Sequence, residues 1–168
     1  MLVLLLALLS AIDFNGKSVQ LFDKPTVLIF VRSDCPISNR YAPELQRVYR
    51  EFSPRAAFYL VYPDRAETAE SIRKHVAEYS YPFDALRDPD RSLVKRSKVH
   101  VTPEVAVFAP GGELVYHGRI DDRYVDFGKS RQEPTTHELE DALQAVLAGK
   151  PVKVASTRAI GCFLADVK

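Results

Sequence analysis

A continuous apolar run that leads to a cysteine is the feature of this sequence that most restricts its fold. Residues 26–31 read Thr-Val-Leu-Ile-Phe-Val, a β-branched and aromatic series without a charged residue. Runs of this kind are typical of strands that are covered on both faces of a sheet. Cys35 and Pro36 follow shortly after the run, and apolar residues then recur at helical spacing. Because proline suits the first helical turn, the sequence predicts that Cys35 lies between a buried strand and a helix start.

The rest of the chain predicts alternating strands and helices. We expect Pro43 to kink the helix that contains it, because its ring excludes one backbone hydrogen bond, and we expect turns over 81–90. Strands that are separated by helices need crossover connections in a partly parallel sheet. The pattern therefore predicts an α/β fold with a central mixed β-sheet and helices on both faces. The predicted strands are 18–22, 26–31, 56–62, 105–108 and 113–117, and the predicted helices are 36–52, about 66–79, 91–97 and 136–147.

The length of 168 residues suits one domain. We divide the chain into an apolar N-terminal segment (1–12), a main domain (13–149) and a tail (150–168) that carries Cys162. The 23 lysines and arginines nearly balance the 22 acidic residues, so no basic surface for nucleic acid is expected. Residues 119–124 concentrate four charges, which we interpret as an exposed salt-bridge network, with a rim that selects substrates as the alternative. On a strand, the adjacent Asp121 and Asp122 would point to opposite faces and share no site.

Residues 1–11 are almost entirely apolar. The run is shorter than the roughly 20 residues that a membrane-spanning helix needs. It has the length of a signal-peptide core, although no basic residue precedes that core. We interpret it as the remnant of an export signal or anchor, with a buried strand or helix as the alternative. An extracytoplasmic protein, periplasmic or secreted and anchored, is then expected, and this segment would be its only contact with a membrane.

Cys35 is the candidate nucleophile of the chain. A thiol reacts as its thiolate, and the start of a helix stabilises negative charge through free backbone N–H groups and the helix dipole. Arg32 and Arg40 are near enough in sequence to assist, whereas Asp34 would oppose them. The alternative is that Cys35 is a small buried hydrophobic residue without chemistry.

Several segments together resemble the thioredoxin superfamily, in particular its redoxin, AhpC-TSA and TlpA-like branch. Residues 30–38 resemble the strand–cysteine–helix junction, and Pro43 matches the kinking proline of the first helix. Residues 101–104 match the cis-proline loop, and 108–116 match the hairpin that follows it. The resemblance covers roughly 13–149 and implies a thioredoxin-like fold.

The resemblance also implies a function. Thr102 and Pro103 would form a platform for an extended substrate, completed by Pro36 and Ser38, and the peptide bond before Pro103 would be cis. A trans proline that opens an edge strand is the alternative. The implied activity is thiol–disulfide exchange on protein or small-molecule thiols and disulfides, without a cofactor. Ser38 stands where the dithiol motif has its second cysteine, so this motif by itself is monothiol.

Cys162, in the tail, has three interpretations. It is the resolving thiol that attacks a mixed disulfide or sulfenic acid on Cys35, one end of a structural disulfide, or a thiol without a partner. Two other functions stay open. One is a thiol peroxidase that takes peroxide, although Arg32 replaces the threonine that peroxidases carry three residues before their cysteine. The other is a non-enzymatic binding module, or a copper carrier that uses both thiols and a histidine.

Overall fold

The computed structural model describes residues 10–164, which form eleven strands and five helices. The strands are β1 (Ser10–Asp13), β2 (Ser18–Gln20), β3 (Thr26–Phe30), β4 (Ala57–Tyr62), β5 (Asp84–Arg87), β6 (Val101–Thr102), β7 (Glu104–Phe108), β8 (Leu114–Gly118), β9 (Tyr124–Asp126), β10 (Lys129–Ser130) and β11 (Cys162–Phe163). The helices are α1 (Pro36–Arg40), α2 (Ala42–Phe52), α3 (Ala69–Glu78), α4 (Ser92–Ser97) and α5 (Glu138–Leu147).

Strand β3 lies at the centre of the molecule, and all five of its residues are buried. Side chains alternate across a strand, so Val27 and Ile29 pack into one core with residues of α2, α3 and α5. Leu28 and Phe30 pack into a second core on the opposite face, with residues of α4. The apolar run is therefore continuous because the strand is covered on both sides.

Seven strands form a mixed sheet in the order β2-β1-β5-β4-β3-β7-β8. β3, β4 and β5 are parallel, and β7 is antiparallel to β3 with Phe30 opposite Glu104. The end of β3 and the start of β7 consequently lie at the same edge of the sheet. This register brings the segment after β3, which carries Cys35, next to the segment before β7, which carries Pro103. The predicted fold class, a thioredoxin-like mixed sheet with helices on both faces, is confirmed.

Two strands of this sheet are absent from the sequence prediction. Asp84–Arg87, within the segment expected to form turns, is strand β5 and pairs with β4. This strand has only four residues and lies between Pro82 and Pro89, so the turn signals of the prolines outweighed its short apolar pattern. Ser10–Asp13 is strand β1, between β2 and β5, so the sheet includes residues that we had assigned to the N-terminal segment.

The first predicted helix is broken rather than kinked. α1 ends at Arg40, Tyr41 has φ −81° and ψ −7°, and α2 begins at Ala42. Pro43 lies in the first turn of α2, where its missing N–H removes no intrahelical bond. The break leaves α1 as a separate helix of five residues that begins directly after Cys35.

The expectation of an exposed salt-bridge network over residues 119–124 is wrong about exposure, although Arg119 pairs with Glu138 and Asp122 pairs with Arg131. Asp121 and Asp122 are only 1% and 5% exposed. Asp121 accepts a hydrogen bond of 2.6 Å from the Tyr41 hydroxyl, whereas Asp122 accepts from the backbone N–H of Thr135 at 2.6 Å. The two carboxylates thus hold different segments in place and do not share a site.

The tail returns along the edge of the molecule toward Cys35. The N–H of Thr157 donates to the His117 carbonyl at 3.1 Å, which fixes the tail beside β8. The N–H of Leu164 donates to the His100 carbonyl at 3.0 Å. Between these points β11 pairs antiparallel with β6, with Cys162 opposite Thr102.

The proposed export or anchor segment lies mainly outside the described residues, because residues 1–9 are not among them. Within residues 10–164, none of the helices combines the length and apolar character required to cross a membrane.

Candidate functional site

Cys35 lies in the extended backbone position that precedes α1, directly after the loop that leaves β3. Its side chain is fully buried, with 0% exposure. The sulfur is therefore closed to solvent in this conformation. As a thiol, Cys35 donates a hydrogen bond from Sγ to the Thr102 carbonyl at 3.1 Å. The junction between β3 and α1 thus places the Cys35 sulfur at the edge of the sheet, in contact with Thr102 of the segment that precedes β7.

The loop before Cys35 is held by side chains that sequence reasoning missed. Glu67 accepts a hydrogen bond from the Ser33 N–H at 2.8 Å, and Asn39 Nδ2 donates to the Ser33 carbonyl at 3.0 Å. Because Asn39 Oδ1 can only accept, His75 Nε2 carries the proton and donates to it over 2.8 Å. His75 Nδ1 is then unprotonated and accepts a hydrogen bond from the Tyr62 hydroxyl at 2.7 Å. Burial lowers the pKa of His75, which agrees with this neutral tautomer.

The opposite wall of the site is the segment that ends at Pro103. The Thr102–Pro103 peptide bond is cis, and Thr102 is fully buried. Glu104, which is 4% exposed, accepts hydrogen bonds through Oε2 from the N–H groups of His100 at 2.7 Å and Val101 at 3.2 Å. Its carboxylate therefore fixes the backbone that carries the carbonyl facing Cys35. Sequence reasoning missed this role, because Glu104 was considered only as part of the segment 101–104 that matches the cis-proline loop.

We expect Glu104→Ala to lower the free energy of unfolding by about 1–3 kcal/mol. The substitution leaves the buried N–H of Val101 and the partly buried N–H of His100 without their acceptor, and a buried donor without a partner costs about 1–3 kcal/mol. Urea unfolding at neutral pH measures the change. The matched control is Glu113→Ala in the exposed hairpin turn, expected to stay within about 0.5 kcal/mol of the wild type. Equal stability of the two variants would contradict the assigned role of Glu104.

The tail completes the site by bringing Cys162 to Cys35. Cys162 lies opposite Thr102 in the β6–β11 pair, and its thiol is close enough to donate a hydrogen bond to a Cys35 thiolate. Both cysteines are free thiols, Cys35 buried and Cys162 half-buried. The two residues lie far apart in sequence, so only the folded tail places them together.

The two thiols differ in acidity. Burial, the largest single influence, raises the pKa of Cys35, but hydrogen bonds from Cys162 and Ser38 outweigh it and lower that pKa below its ordinary value of 9.0. Burial and the neighbouring Cys35 raise the pKa of Cys162 to about 12. Cys35 is therefore the first of the pair to ionise. On ionisation it stops donating to Thr102 and becomes the acceptor for Cys162 and Ser38.

Pro36 and Ser38 differ in their exposure and in their contact with Cys35. Pro36 is exposed at the first position of α1. Ser38 is fully buried, and its hydroxyl has no nitrogen or oxygen partner among the described residues. The Ser38 hydroxyl is thus available to the Cys35 sulfur, toward which its backbone N–H also points. In this conformation Ser38 contacts the nucleophile rather than an external substrate.

Neither arginine is placed to activate Cys35 as the sequence suggested. Arg32 pairs with Asp34 at 2.8 Å and approaches Asp64 at 3.6 Å. Arg40 is exposed in the last turn of α1. The influences that lower the pKa of Cys35 are hydrogen bonds from Ser38 and Cys162. The pKa of Cys35 is consequently lowered by neutral donors, whereas Arg32 lowers and Asp34 raises the pKa of Cys162.

The geometry gives no support to the copper alternative. Among residues 10–164, no histidine joins Cys35 and Cys162 in a group of three potential ligands. The group with suitable spacing is Glu44, Asp121 and His137. Arg47 already forms a salt bridge with Glu44 at 2.6 Å, which neutralises part of the negative charge that a cation would need.

The comparisons with known proteins agree with this fold. A solved structure of an uncharacterized conserved protein from Geobacillus kaustophilus is 26% identical with a TM-score of 0.80, and covers 94% of this chain and 88% of its own. A hypothetical protein from Sinorhizobium meliloti 1021 is also 26% identical, with a TM-score of 0.78 over 93% of this chain and 89% of its own. A secreted Mycobacterium tuberculosis disulfide oxidoreductase shares the fold at 22% identity and a TM-score of 0.57, over 84% of this chain and 96% of its own.

No curated protein matches the sequence. The family comparison does give a match, to the AhpC/TSA family over residues 9–117. The matched region includes the junction at Cys35, the segment at Pro103 and the hairpin that follows, whereas Cys162 lies beyond it. The matched segment covers well over half of the chain. The chain therefore belongs to the AhpC/TSA family, and it has the thioredoxin fold of its redoxin and disulfide-oxidoreductase neighbours.

Proposed function

We propose that this protein is a thiol–disulfide oxidoreductase in which Cys35 is the nucleophile and Cys162 is the resolving thiol. The observation that carries the proposal is the pairing of the two thiols with opposite shifts in pKa, lowered for Cys35 and raised for Cys162. A nucleophile must ionise near neutral pH, while its partner must stay protonated until the first exchange has occurred.

The reaction has two exchange steps. The Cys35 thiolate attacks a disulfide R–S–S–R′, forms Cys35–S–S–R and releases R′–S⁻, which takes up a proton. The Cys162 thiol then loses its proton to solvent. The resulting thiolate attacks the Cys35 sulfur and releases R–S⁻. The substrate gains two electrons, and the protein ends with a Cys35–Cys162 disulfide. An external thiol reductant must then restore both thiols.

The departure of the proton from Cys162 is linked to the first step. While Cys35 is a thiolate, it accepts a hydrogen bond from Cys162 and raises that pKa. Once Cys35 is bound in a mixed disulfide, its negative charge is gone and this influence ends. The resolving thiol thus becomes more acidic at the stage when its thiolate is needed.

We extend the proposal to partners and location. The substrates are protein or small-molecule disulfides, and the proposed compartment is extracytoplasmic, where disulfides persist. The shared fold with a secreted Mycobacterium tuberculosis disulfide oxidoreductase supports this location. The proposed membrane contact is limited to the N-terminal segment.

A thiol peroxidase is the second candidate, favoured by the AhpC/TSA match and by the burial of Cys35, which suits a small oxidant. Here the Cys35 thiolate attacks the outer oxygen of R–O–OH and releases an alcohol after protonation. Cys162 then attacks the sulfenic acid and water leaves, which gives the same disulfide. Comparing consumption of hydrogen peroxide with that of oxidised glutathione distinguishes the two candidates.

Trapping experiments test the redox pair. Reduced wild-type protein treated with oxidised glutathione should lose two hydrogens in mass, and peptide mapping should find Cys35 joined to Cys162. Cys162→Ser should instead retain one glutathione on Cys35. Cys35→Ser should stay unmodified over the same period. A stable glutathione adduct on wild-type Cys35 would refute the resolving role, and lack of reaction with both oxidants would favour a non-enzymatic binding module.

A further inference from the structure

The edge of β6 is occupied by the protein's own C-terminal segment. Within residues 10–164, β6 pairs with β11 in a separate two-stranded sheet. A free strand edge is a template to which an extended polypeptide can add through backbone hydrogen bonds. Because Cys162 is opposite Thr102, β11 takes the position in which an extended polypeptide would present a cysteine to Cys35.

Gly161 is the residue that permits this close pairing. A Cβ atom at position 161 would lie 2.2 Å from the Thr102 carbonyl oxygen and 3.1 Å from the backbone nitrogen of Pro103. Contacts of 2.2 Å do not occur between such atoms, and both neighbours are backbone atoms that cannot turn away. Any other residue at 161 must therefore move the tail away from β6 or distort the segment that faces Cys35.

The pairing that Gly161 permits is limited in extent. β11 has two residues, and the Phe163 side chain is 70% exposed. A cavity of about 400 Å³ lies beside the tail, lined in part by His100, His117 and residues 156–161. Short pairings with few buried contacts open at lower free energy than the core of a fold. The end of the tail, in which Leu164 packs against the core that contains Leu28 and Phe30, is therefore expected to open before the central sheet unfolds.

We infer that Gly161 determines which substrates reach Cys35, because it lets residues 161–164 of the tail pair with β6. The tail then occupies the strand edge to which an extended polypeptide would bind. Extended polypeptides react only when residues 161–164 leave that edge. The same steric limit applies to any chain that replaces the tail, so the preferred polypeptide has glycine immediately before its cysteine. This inference rests on the proposed function, and it assigns a substrate class to the same site.

The first experiment measures access to Cys35 in full-length protein with Cys162→Ser, so that one thiol remains. Adding Gly161→Val should raise the rate of Cys35 alkylation by iodoacetamide at least about tenfold, equivalent to about 1.4 kcal/mol. Each rate is divided by the thiolate fraction, measured by absorbance at 240 nm. The control is Lys153→Ala, an exposed tail position outside β11, which should not change the rate. An unchanged rate with Gly161→Val would overturn the inference.

Hydrogen exchange provides a measurement that does not depend on the valine variant. In the wild type the Leu164 amide is hydrogen bonded to the His100 carbonyl at 3.0 Å, so it should exchange more slowly than in an unstructured peptide. Gly161→Ala, the smallest addition of a Cβ, should remove that protection and leave the amides of β3 protected. An unprotected Leu164 amide in the wild type would also overturn the inference.

The second experiment tests the preference for glycine. Two peptides are compared, one with the sequence of residues 156–164 and one with valine in place of its glycine. In both, the cysteine is a mixed disulfide with 5-thio-2-nitrobenzoate. The Cys35 thiolate attacks the peptide sulfur, forms a Cys35–peptide disulfide and releases the coloured thiolate. In the Cys162→Ser, Gly161→Val protein, the glycine peptide should react at least about tenfold faster, which corresponds to about 1.4 kcal/mol. Equal rates would refute the preference.

These results can be separated from those that test the proposed function. Alkylation of Cys35 and exchange of the Leu164 amide need no reaction at Cys162. If the wild type forms no Cys35–Cys162 disulfide but the Gly161 variants still expose Cys35, the proposed redox pair is wrong and the occupancy of β6 stands. If the disulfide forms and Gly161→Val changes neither access nor peptide reaction, only the inference about Gly161 fails.

Discussion

Turnover of disulfide substrates should fall to background in Cys35→Ser, while Cys162→Ser should perform one exchange and then stop. A serine hydroxyl is not appreciably ionised at neutral pH and cannot replace the thiolate. In Cys162→Ser the first exchange still occurs, but no second thiol releases the product. Stopped-flow release of a coloured thiol from 5,5′-dithiobis(2-nitrobenzoate) measures the first exchange, and reduction of oxidised glutathione with a thiol reductant measures turnover.

The two variants serve as controls for each other, because each removes one sulfur with little change in volume. Both should unfold within a few degrees of the reduced wild type. Full turnover in Cys162→Ser would show that an external thiol resolves the intermediate, and the role proposed for Cys162 would then be wrong. Turnover that survives in Cys35→Ser would place the chemistry elsewhere.

Cys162→Ala should raise the pKa of Cys35 and so reduce its reactivity at pH 7. In the wild type, burial raises the pKa of Cys35, and hydrogen bonds from Cys162 and Ser38 reverse the shift. Removing a donor to the charged form disfavours the thiolate, so the pKa must rise. Each unit of rise corresponds to about 1.36 kcal/mol and reduces the thiolate fraction at pH 7 by up to about tenfold.

Absorbance at 240 nm against pH measures the thiolate without requiring a reagent to reach the buried sulfur. Cys162→Ser is the conservative comparison, because its hydroxyl is still a donor and should keep the midpoint of Cys35 below that of Cys162→Ala. Ser38→Ala should also raise the midpoint. In the wild type, a separate ionisation near pH 12 is expected for Cys162. A midpoint for Cys35 that is equal in all four proteins would contradict tuning by these neutral donors.

The sequence predicted the location of Cys35 well because local patterns encode it. A strand covered on both faces must be apolar at every position, and residues 26–31 have that property. Pro36 then indicates the start of a helix, since proline is tolerated in the first turn. The fold class followed from the same periodicities together with the order of strands and helices.

The sequence predicted the surroundings of Cys35 less well. Arg32 and Arg40 are near Cys35 along the chain, yet Arg32 pairs with Asp34 and Arg40 is exposed. Glu67 and Glu104 hold the two segments of the site through hydrogen bonds to backbone N–H groups. No sequence pattern marks such contacts, because the acceptor and the donors come from different elements.

The sequence by itself determined the mixed α/β architecture around β3, the junction that carries Cys35 and the absence of a second cysteine at position 38. These properties depend on side-chain periodicity and on residue type, which are local. Only the tertiary structure decided that Cys162 meets Cys35, that β11 pairs with β6 and that a Cβ atom at position 161 would lie 2.2 Å from the Thr102 carbonyl oxygen. Those outcomes depend on where the chain returns after α5, and the packing of β6 against β11 fixes that path through backbone contacts that residue type does not reveal.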